Sequence, residues 1–216
     1  MTLTLIGDIH GKYKEYVSLL IKRENGIENS LQIGDFGYNY SILKYISYHH
    51  NKFFAGNHDN HDDLQNWPHW LGKYGSNKYQ IGDIDFFYVG GAFSVDWQIR
   101  LRNETLGEWP KTWYENEELT MKELENAIEQ YKTIKPKIVI SHDCPHSLSN
   151  IFSKVCVSKW GYNPETFRTR TSMALQIMFE SWQPEKWFFG HYHNSKTLKV
   201  DKTEFRCLDE LEIVTI

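Results

Sequence analysis

Five short apolar runs of the sequence end in side chains that can bind a metal ion. The groups that follow these runs are Asp8 with His10, Asp35, Asn57 with His58, His142, and His191 with His193. Residues two apart in an extended segment point to the same side, so a pair such as Asp8 and His10 can present both side chains at one place. The pattern predicts that several strand ends gather oxygen and nitrogen ligands around one point.

The chemistry of this set favours two divalent transition-metal ions. Carboxylate, amide and imidazole groups without a thiolate suit Mn²⁺, Fe²⁺, Co²⁺, Ni²⁺ or Zn²⁺. Without His58 the set offers seven ligands, which are too many for one ion and sufficient for two. Because Asp8 and Asp35 are the only anions among them, two such ions leave a positive site that attracts phosphate. A pair of ions can also produce a hydroxide from bridging water and hold the oxygens of an in-line displacement.

The spacing of apolar residues between these groups predicts strands that alternate with helices, as in an α/β sheet. Ligands of open α/β sheets bind at the carboxyl edge of the strands, where the polar groups above would meet. In the first part of the chain the predicted elements are strands at Leu3–Ile6, Leu31–Ile33 and Lys52–Ala55, and helices at Lys12–Lys22 and after a Ser41 cap.

The rest of the chain adds a predicted hairpin over Lys78–Phe93 with its turn at Gly82-Asp83. Ser94–Glu118 is predicted to be an irregular surface excursion, rich in tryptophan. The remaining predicted elements are helices at Met121–Tyr131, after a capping box, and from Asn163-Pro164 to about Glu180, and strands at 137–141, 186–189, 197–200, 204–208 and 211–216. With no repeat or linker in between, residues 1–216 are predicted to form a single domain.

Composition narrows the classes of function. Twenty-four Lys and Arg against 28 Asp and Glu give a net charge of −4, which predicts no strong nucleic-acid surface. The three cysteines lack CxxC spacing, which predicts neither a disulfide framework nor a zinc knuckle. No apolar stretch approaches the roughly 18 residues of a membrane span. We therefore expect a cytoplasmic protein without a membrane partner.

The ordered blocks around Asp8-x-His10, Gly34-Asp35, Gly56-Asn57-His58-Asp59, His142 and Gly190-His191-x-His193 resemble those of the calcineurin-like metallophosphoesterases. The resemblance implies a four-layer α-β-β-α sandwich of two mixed sheets. It also implies two metal sites that share Asp35 as a bridging ligand. One site would comprise Asp8, His10, Asp35 and His193, and the other Asp35, Asn57, His142 and His191. His58 would then be the acid that protonates the leaving oxygen.

The sequence departs from the family's Ser/Thr protein phosphatases at two blocks. Those enzymes carry Gly-Asp-x-x-Asp-Arg-Gly and Gly-Asn-His-Glu, whereas this chain has Gly-Asp-Phe-Gly-Tyr-Asn-Tyr and Gly-Asn-His-Asp. The missing Asp-Arg pair leaves Asp59 and Asp62 as candidates for orienting His58, and Arg100 as a candidate for gripping phosphate. "GGAFSVDWQIR" and the tryptophan-rich segment after it resemble a small branch of the superfamily found in bacteria and phages.

The sequence therefore predicts a dimetal phosphoesterase that hydrolyses a phosphomonoester or phosphodiester of nucleotide-like character, with Mn²⁺ expected first among the metals. Trp97, Trp109 and Trp113 would either cover a hydrophobic surface or stack on a nucleobase. A Ser/Thr-type protein phosphatase and a metal-binding module without catalysis stay open as alternatives. A nuclease is less favoured because the chain has no basic run.

Overall fold

Two β-sheets, one of four strands and one of six, form the framework of the part of the chain that the structure describes. The computed structural model describes residues 2–21, 28–77, 81–153, 155 and 157–216. The four-stranded sheet has the order β10-β1-β2-β3, and its strands are β1 (Thr4–Ile6), β2 (Ser30–Gln32), β3 (Asn51–Phe53) and β10 (Ile213–Thr215). In this sheet β1, β2 and β3 are parallel, and β10 is antiparallel to β1.

The six-stranded sheet has a parallel centre with an antiparallel strand at each edge. Its order is β4-β5-β6-β7-β9-β8, in which β5, β6, β7 and β9 run parallel. The six strands are β4 (Tyr74–Ser76), β5 (Phe87–Val89), β6 (Ile138–Ser141), β7 (Lys186–Phe189), β8 (Lys196–Val200) and β9 (Thr203–Cys207).

Central strands such as β1 and β7 pack apolar side chains on both faces, because both faces of each sheet are covered there. Along β7, Phe188 joins the core between the two sheets, whereas Trp187 and Phe189 join the core beneath the helices. Along β1, Leu5 faces the other sheet and Ile6 faces outward. The strict alternation follows from the two-residue period of a strand. It explains why these strands appear in the sequence as continuous apolar runs.

Helices form the two outer layers. Helix α1 (Tyr13–Ile21) packs its Tyr16 over the four-stranded sheet. Over the six-stranded sheet lie α3 (Met121–Ile134), α4 (His146–Phe152) and α5 (Arg170–Ser181). A fifth helix, α2 (Trp97–Thr105), carries the buried Arg100. The result is the predicted four-layer α/β sandwich of two mixed sheets. Within the described ranges, no helix has the length and apolar composition of a membrane span.

Most predicted elements are present, with shifted ends. The first predicted helix begins at Tyr13 and is described to Ile21, and its predicted end, Lys22, lies outside the described residues. The segment after Tyr40 forms a short 3₁₀ helix at Ser41–Tyr45, whose N-cap residue is Tyr40 and not the predicted Ser41. A hairpin forms between β4 and β5 with a turn at Gly82-Asp83, but its first strand lies at Tyr74–Ser76, before the predicted start at Lys78. Residues 78–80 lie outside the described residues.

Two predicted elements are wrong. The segment 94–118 contains the regular helix α2 (Trp97–Thr105) instead of being irregular throughout. The helix predicted from Asn163 begins only at Arg170, because the Thr169 side chain accepts a hydrogen bond from Ser172 N and caps it there. Asn163 instead accepts a hydrogen bond from Glu165 N within a turn. Both residues are good cap formers, and the more C-terminal one starts the helix.

Candidate metal centre

The polar groups that follow the five apolar runs meet where β1, β2 and β3 of one sheet end close to β6 and β7 of the other. Their ligand atoms form two groups, each lying within 4.8 Å, and both groups include Asp35. One group consists of Asp8, His10, Asp35 and His193, and the other of Asp35, His142 and His191. Sharing one carboxylate between two ligand groups is the arrangement of a dinuclear site.

In the first group the imidazoles converge on the carboxylates. His193 Nε2 lies 3.0 Å from Asp8 Oδ2, and His10 Nε2 lies 3.5 Å from Asp35 Oδ2. The Nε2 atoms of His10 and His193 are only 2.8 Å apart. This concentration of nitrogen and oxygen lone pairs suits a cation.

In the second group His142 is fully buried and lies between Asp35 and Asn57. Its Nε2 atom is 3.2 Å from Asp35 Oδ1 and 3.2 Å from Asn57 Oδ1. Its Nδ1 atom is 3.0 Å from the carbonyl oxygen of Ile33, which fixes the ring so that Nε2 faces the centre. Asn57, the predicted amide ligand, therefore lies next to the second group.

The carboxylate of Asp35 shows whether the site suits a metal ion. Its Oδ1 accepts a hydrogen bond from His58 N at 2.7 Å, but its Oδ2 is buried and has no hydrogen-bond partner among the described residues. A buried, unpaired carboxylate oxygen is costly unless a cation satisfies it. The residues present thus fit a dinuclear divalent metal site.

The backbone also adopts costly conformations here. His10, Asp35, His191 and His193 all have positive φ, between 44° and 66°. Left-handed conformations of residues other than glycine store strain and cluster at functional sites. At Gly56, a Cβ atom would collide with Asp35 Oδ1 and His142 Nε2, so only glycine allows the backbone to pass this closely.

The charges of the centre interact strongly. Burial raises the pKa of Asp35, but the neighbouring His142 and His58 outweigh burial and hold it well below its ordinary value. Burial lowers the pKa of His142, but the charge of Asp35 and its hydrogen bond outweigh burial and raise the pKa to about 10. Among the described contacts, none joins the His191 ring to a carboxylate by a hydrogen bond, and burial lowers the pKa of His191 to about 4. A neutral His191 keeps its lone pair for a metal.

His58 lies beside the centre and contacts Arg100. Nη2 of Arg100 is 2.8 Å from His58 Nε2, and Tyr38 Oη is 3.4 Å from His58 Nδ1. Because a guanidinium only donates, Nε2 accepts and the ring proton lies on Nδ1. The pKa of His58 is lowered to about 3, mainly by burial and also by the positive charge of Arg100. Without substrate, His58 is therefore neutral.

The two acidic candidates for orienting His58 have other partners. Asp59 is fully buried and accepts hydrogen bonds from Gly37 N, Gly56 N and Tyr40 Oη, at 2.8–3.1 Å. Asp62 pairs with Lys111 at 2.6 Å. Among the described contacts, none joins either carboxylate to His58. Asp59 holds the turn that carries Asn57 and His58, whereas Arg100 and Tyr38 contact the ring itself.

A cavity of about 500 Å³ opens onto the centre. Asp35, His58 and Arg100 line one part of it, and Phe93, Trp160 and Phe167 line another. His146, Ser149 and Asn150 of α4 also line it, on one helix face. Trp97, Trp109 and Trp113 are not among the described lining residues; Trp97 packs on Trp113, with ring centroids 5.3 Å apart.

Sequence reasoning missed three residues that support the site. Tyr38 stands where the protein phosphatases have the Asp of Gly-Asp-x-x-Asp, so its position carried a signal. Nothing in the sequence around Ser94 and Glu117 indicates that they contact each other, because this contact depends on how residues 94–118 pack. Ser94 Oγ accepts a hydrogen bond from Asn57 Nδ2 at 3.0 Å and donates to Glu117 Oε2 at 2.7 Å.

The two clusters with a shared aspartate fit a dinuclear divalent metal site, and a cavity adjoins it. The profile of the calcineurin-like phosphoesterase family matches residues 1–195, and the chain belongs to this family. Among curated proteins, no sequence matches the chain.

Solved structures with the same fold share little sequence with this chain. A candidate 5′-nucleotidase from Staphylococcus aureus, in complex with α-ketoglutarate, superposes with a TM-score of 0.53 at 13% identity, covering 99% of this chain and 50% of that one. The chain thus spans half the length of the S. aureus protein. Phosphopantetheinyl hydrolase from Mycobacterium tuberculosis superposes with a TM-score of 0.51 at 11% identity, covering 97% and 89%. These similarities support the fold.

Proposed function

We propose that this protein is a two-metal phosphoesterase that hydrolyses a phosphomonoester or phosphodiester with a nucleotide-like alcohol. The observation that carries the proposal is the shared carboxylate of Asp35 between two ligand clusters, with one oxygen buried and without a hydrogen-bond partner among the described residues. Asp8, His10, Asp35 and His193 would hold one ion, and Asp35, Asn57, His142 and His191 the other. Mn²⁺ is the first ion to test, with Fe²⁺, Co²⁺, Ni²⁺ and Zn²⁺ as alternatives.

When bound, two such ions supply activation of water at neutral pH and neutralise charge on the phosphate oxygens. The chain's own residues do the rest. Asp35 positions both halves of the centre, and Asp59 holds the turn of Asn57 and His58 by accepting hydrogen bonds from backbone amides. Arg100 lines the cavity next to Asp35, where its guanidinium can bind a phosphate oxygen.

His58 is the proposed proton donor to the leaving oxygen. In the resting protein Arg100 donates to His58 Nε2 and the ring is neutral. An arriving phosphate is an anion, which raises the pKa of a neighbouring imidazole and competes for the Arg100 guanidinium. Transfer of Arg100 from His58 to phosphate would free Nε2 to take up a proton and then deliver it to the leaving group.

The nucleotide-like part of the proposal rests on the aromatic wall of the cavity. Phe93, Trp160 and Phe167 lie on the same cavity as His58 and Arg100, so an ester whose phosphate is at the centre would extend its alcohol towards them. Stacking of a base on an aromatic side chain contributes roughly 1–3 kcal/mol. The S. aureus relative is named a candidate 5′-nucleotidase, which agrees with this class of substrate.

The experiment compares nucleoside monophosphates and cyclic nucleotides with glycerol phosphate as substrates. Trp160→Ala should raise KM for the nucleotides by roughly 5- to 150-fold, the loss expected for one stacked base, and leave glycerol phosphate unchanged. Trp109→Ala is the matched control, because Trp109 is 48% exposed and is not among the described lining residues. An equal KM increase on both substrates would refute the nucleotide-like class.

The alternatives separate in the same assays. A protein phosphatase would cleave a phosphopeptide faster than bis(p-nitrophenyl) phosphate. A metal-binding module without catalysis would bind two ions and hydrolyse none of these esters. Either outcome would replace the proposed function.

A further inference from the structure

The side-chain amide of Asn57 has two nearly identical ends, and only one can bind a metal. Its Oδ1 lies 3.2 Å from His142 Nε2, next to the second ligand group. Its Nδ2 points the other way and donates to Ser94 Oγ at 3.0 Å. A reversal of the amide would direct NH₂ at the cation and remove the ligand. The question is what prevents that reversal.

Ser94 is in turn bound by Glu117 on both of its polar groups. Ser94 N donates to Glu117 Oε1 at 2.6 Å, and Ser94 Oγ donates to Glu117 Oε2 at 2.7 Å. All three residues are buried, with exposed fractions of 2% for Asn57, 2% for Ser94 and 3% for Glu117. Buried polar groups of this kind have few alternative partners, so the direction of each hydrogen bond matters.

The direction of the whole chain follows from the carboxylate. Once Glu117 is ionised, its carboxylate only accepts, so the single hydroxyl proton of Ser94 must be donated to it. Ser94 Oγ then has only lone pairs left for Asn57, and the NH₂ end of the amide must face it. Oδ1 is thereby directed at the second ligand group.

We propose that Glu117, acting through Ser94, is a positioning residue that sets the orientation of the Asn57 amide and so completes one of the two metal sites. This rests on the proposed function, in which Asn57 is a metal ligand. In this proposal Ser94, the serine of "GGAFSVD", and Glu117, at the acidic end of the tryptophan-rich segment, support the metal site although neither is a ligand. Glu117 and Ser94 should affect the site of Asn57, His142 and His191, and leave the site of Asp8, His10 and His193 intact.

Glu117→Gln keeps the shape of the side chain but replaces one carboxylate oxygen, which accepts a hydrogen bond, by an NH₂ group, which donates one. The Gln carbonyl can still accept from Ser94 N, which leaves its NH₂ to donate to Ser94 Oγ. The hydroxyl proton then has to be donated to Asn57, which favours Oδ1 facing Ser94 and NH₂ facing the cation. Ser94→Ala instead removes the restraint on the amide. Because burial raises the pKa of Glu117 to about 8, the comparison is made at about pH 9, where about nine tenths of the carboxylate is ionised.

The test titrates the metal-free full chain with Co²⁺, following both calorimetry and the Co²⁺ absorption spectrum. The unaltered protein should bind two ions. Glu117→Gln should keep one site and weaken the other by roughly 10- to 100-fold, the usual effect of losing a group that orients a ligand. Ser94→Ala should weaken the same site, and Glu117→Gln should add no further loss in the Ser94→Ala background. Two ions bound with unchanged affinity in Glu117→Gln would overturn the inference.

Glu118→Gln is the matched control. Glu118 is the next residue and is 5% exposed, but its Oε1 accepts from Thr171 N and Thr171 Oγ1 at the start of α5. This variant should lower thermal stability and keep both Co²⁺ sites. Equal weakening of metal binding in Glu118→Gln and Glu117→Gln would show a general structural effect and overturn the inference. If the unaltered protein binds fewer than two ions, the proposed function itself fails.

Discussion

Asp35 is the residue on which both clusters depend. It belongs to both ligand groups, and it is one of only two carboxylates in them. Asp35→Asn should therefore weaken metal binding at both sites by roughly 10- to 100-fold or more and abolish most turnover, more than any other single ligand change. Metal content and turnover are measured together.

Asp62→Asn is the control for this change. Asp62 is an exposed aspartate that pairs with Lys111, away from both clusters. Near-normal turnover of Asp35→Asn would contradict the bridging assignment, and a loss in Asp62→Asn would point to a nonspecific cause.

His58 has two possible roles, acid or ligand, and they predict different results. As the acid, His58→Ala or His58→Asn should retain both ions and slow turnover by roughly 10²–10⁴-fold on esters with a poor leaving group. The loss should shrink for p-nitrophenyl esters, because p-nitrophenolate departs with little need of a proton. Loss of metal, or equal impairment on both kinds of ester, would remove His58 from the acid role.

The residues of the centre could be found from the sequence because each follows an apolar run that had to be a strand. The structure brings Asp8, His10, Asp35, His142, His191 and His193 together in two groups, with Asn57 beside the second. The contact between Arg100 and His58 could only be suspected, since it depends on where α2 packs. The same holds for Ser94 and Glu117, which are 23 residues apart in the chain.

At the scale of elements, long periodic patterns predicted helices and strands correctly. A short helix, and a helix preceded by two candidate cap residues, were not predicted correctly. The capping box of Thr120 and Glu123 is present, and α3 begins where it predicts. Helix α4 (His146–Phe152) was missed because seven residues with two buried positions, Leu148 and Phe152, show no clear period. The start of α5 was misplaced because Asn163 and Thr169 both favour a cap, and only packing decides between them.

The segment that carries Glu117 should make stability depend on pH. Burial raises the pKa of Glu117 in the folded protein to about 8, from an ordinary value of 4.5. The folded state thus holds the proton more tightly than the unfolded state, so this contribution to stability is fully present below about pH 4.5 and is lost as pH rises through about 8.

Urea unfolding of the metal-free protein at several pH values measures this effect. As the pH rises from about 5 to about 8, the free energy of unfolding of the unaltered protein should fall relative to that of Glu117→Gln. Glu118→Gln is again the control, and its difference from the unaltered protein should not follow the same curve. A constant difference for Glu117→Gln would contradict the raised pKa.

At the scale of the whole molecule, the centre joins the two sheets. Asp8, Asp35 and Asn57 follow strands of the four-stranded sheet, whereas His142 and His191 follow strands of the six-stranded sheet. Any ion held by both sets therefore links the two halves of the sandwich. Metal binding should stabilise the entire fold, since the ligands are far apart along the chain and are brought together only by folding.

Metal removal tests this link. With each site saturated at about 100 times its Kd, two ions add about 5 kcal/mol to the free energy of unfolding. For a chain of 216 residues this corresponds to a rise in Tm of roughly 10–20 °C. EDTA should reverse the rise and abolish activity, and Mn²⁺ should restore both, with two ions per chain by metal analysis. Full activity with one ion or none, or a Tm that does not respond to metal, would contradict a dinuclear centre that spans the two sheets.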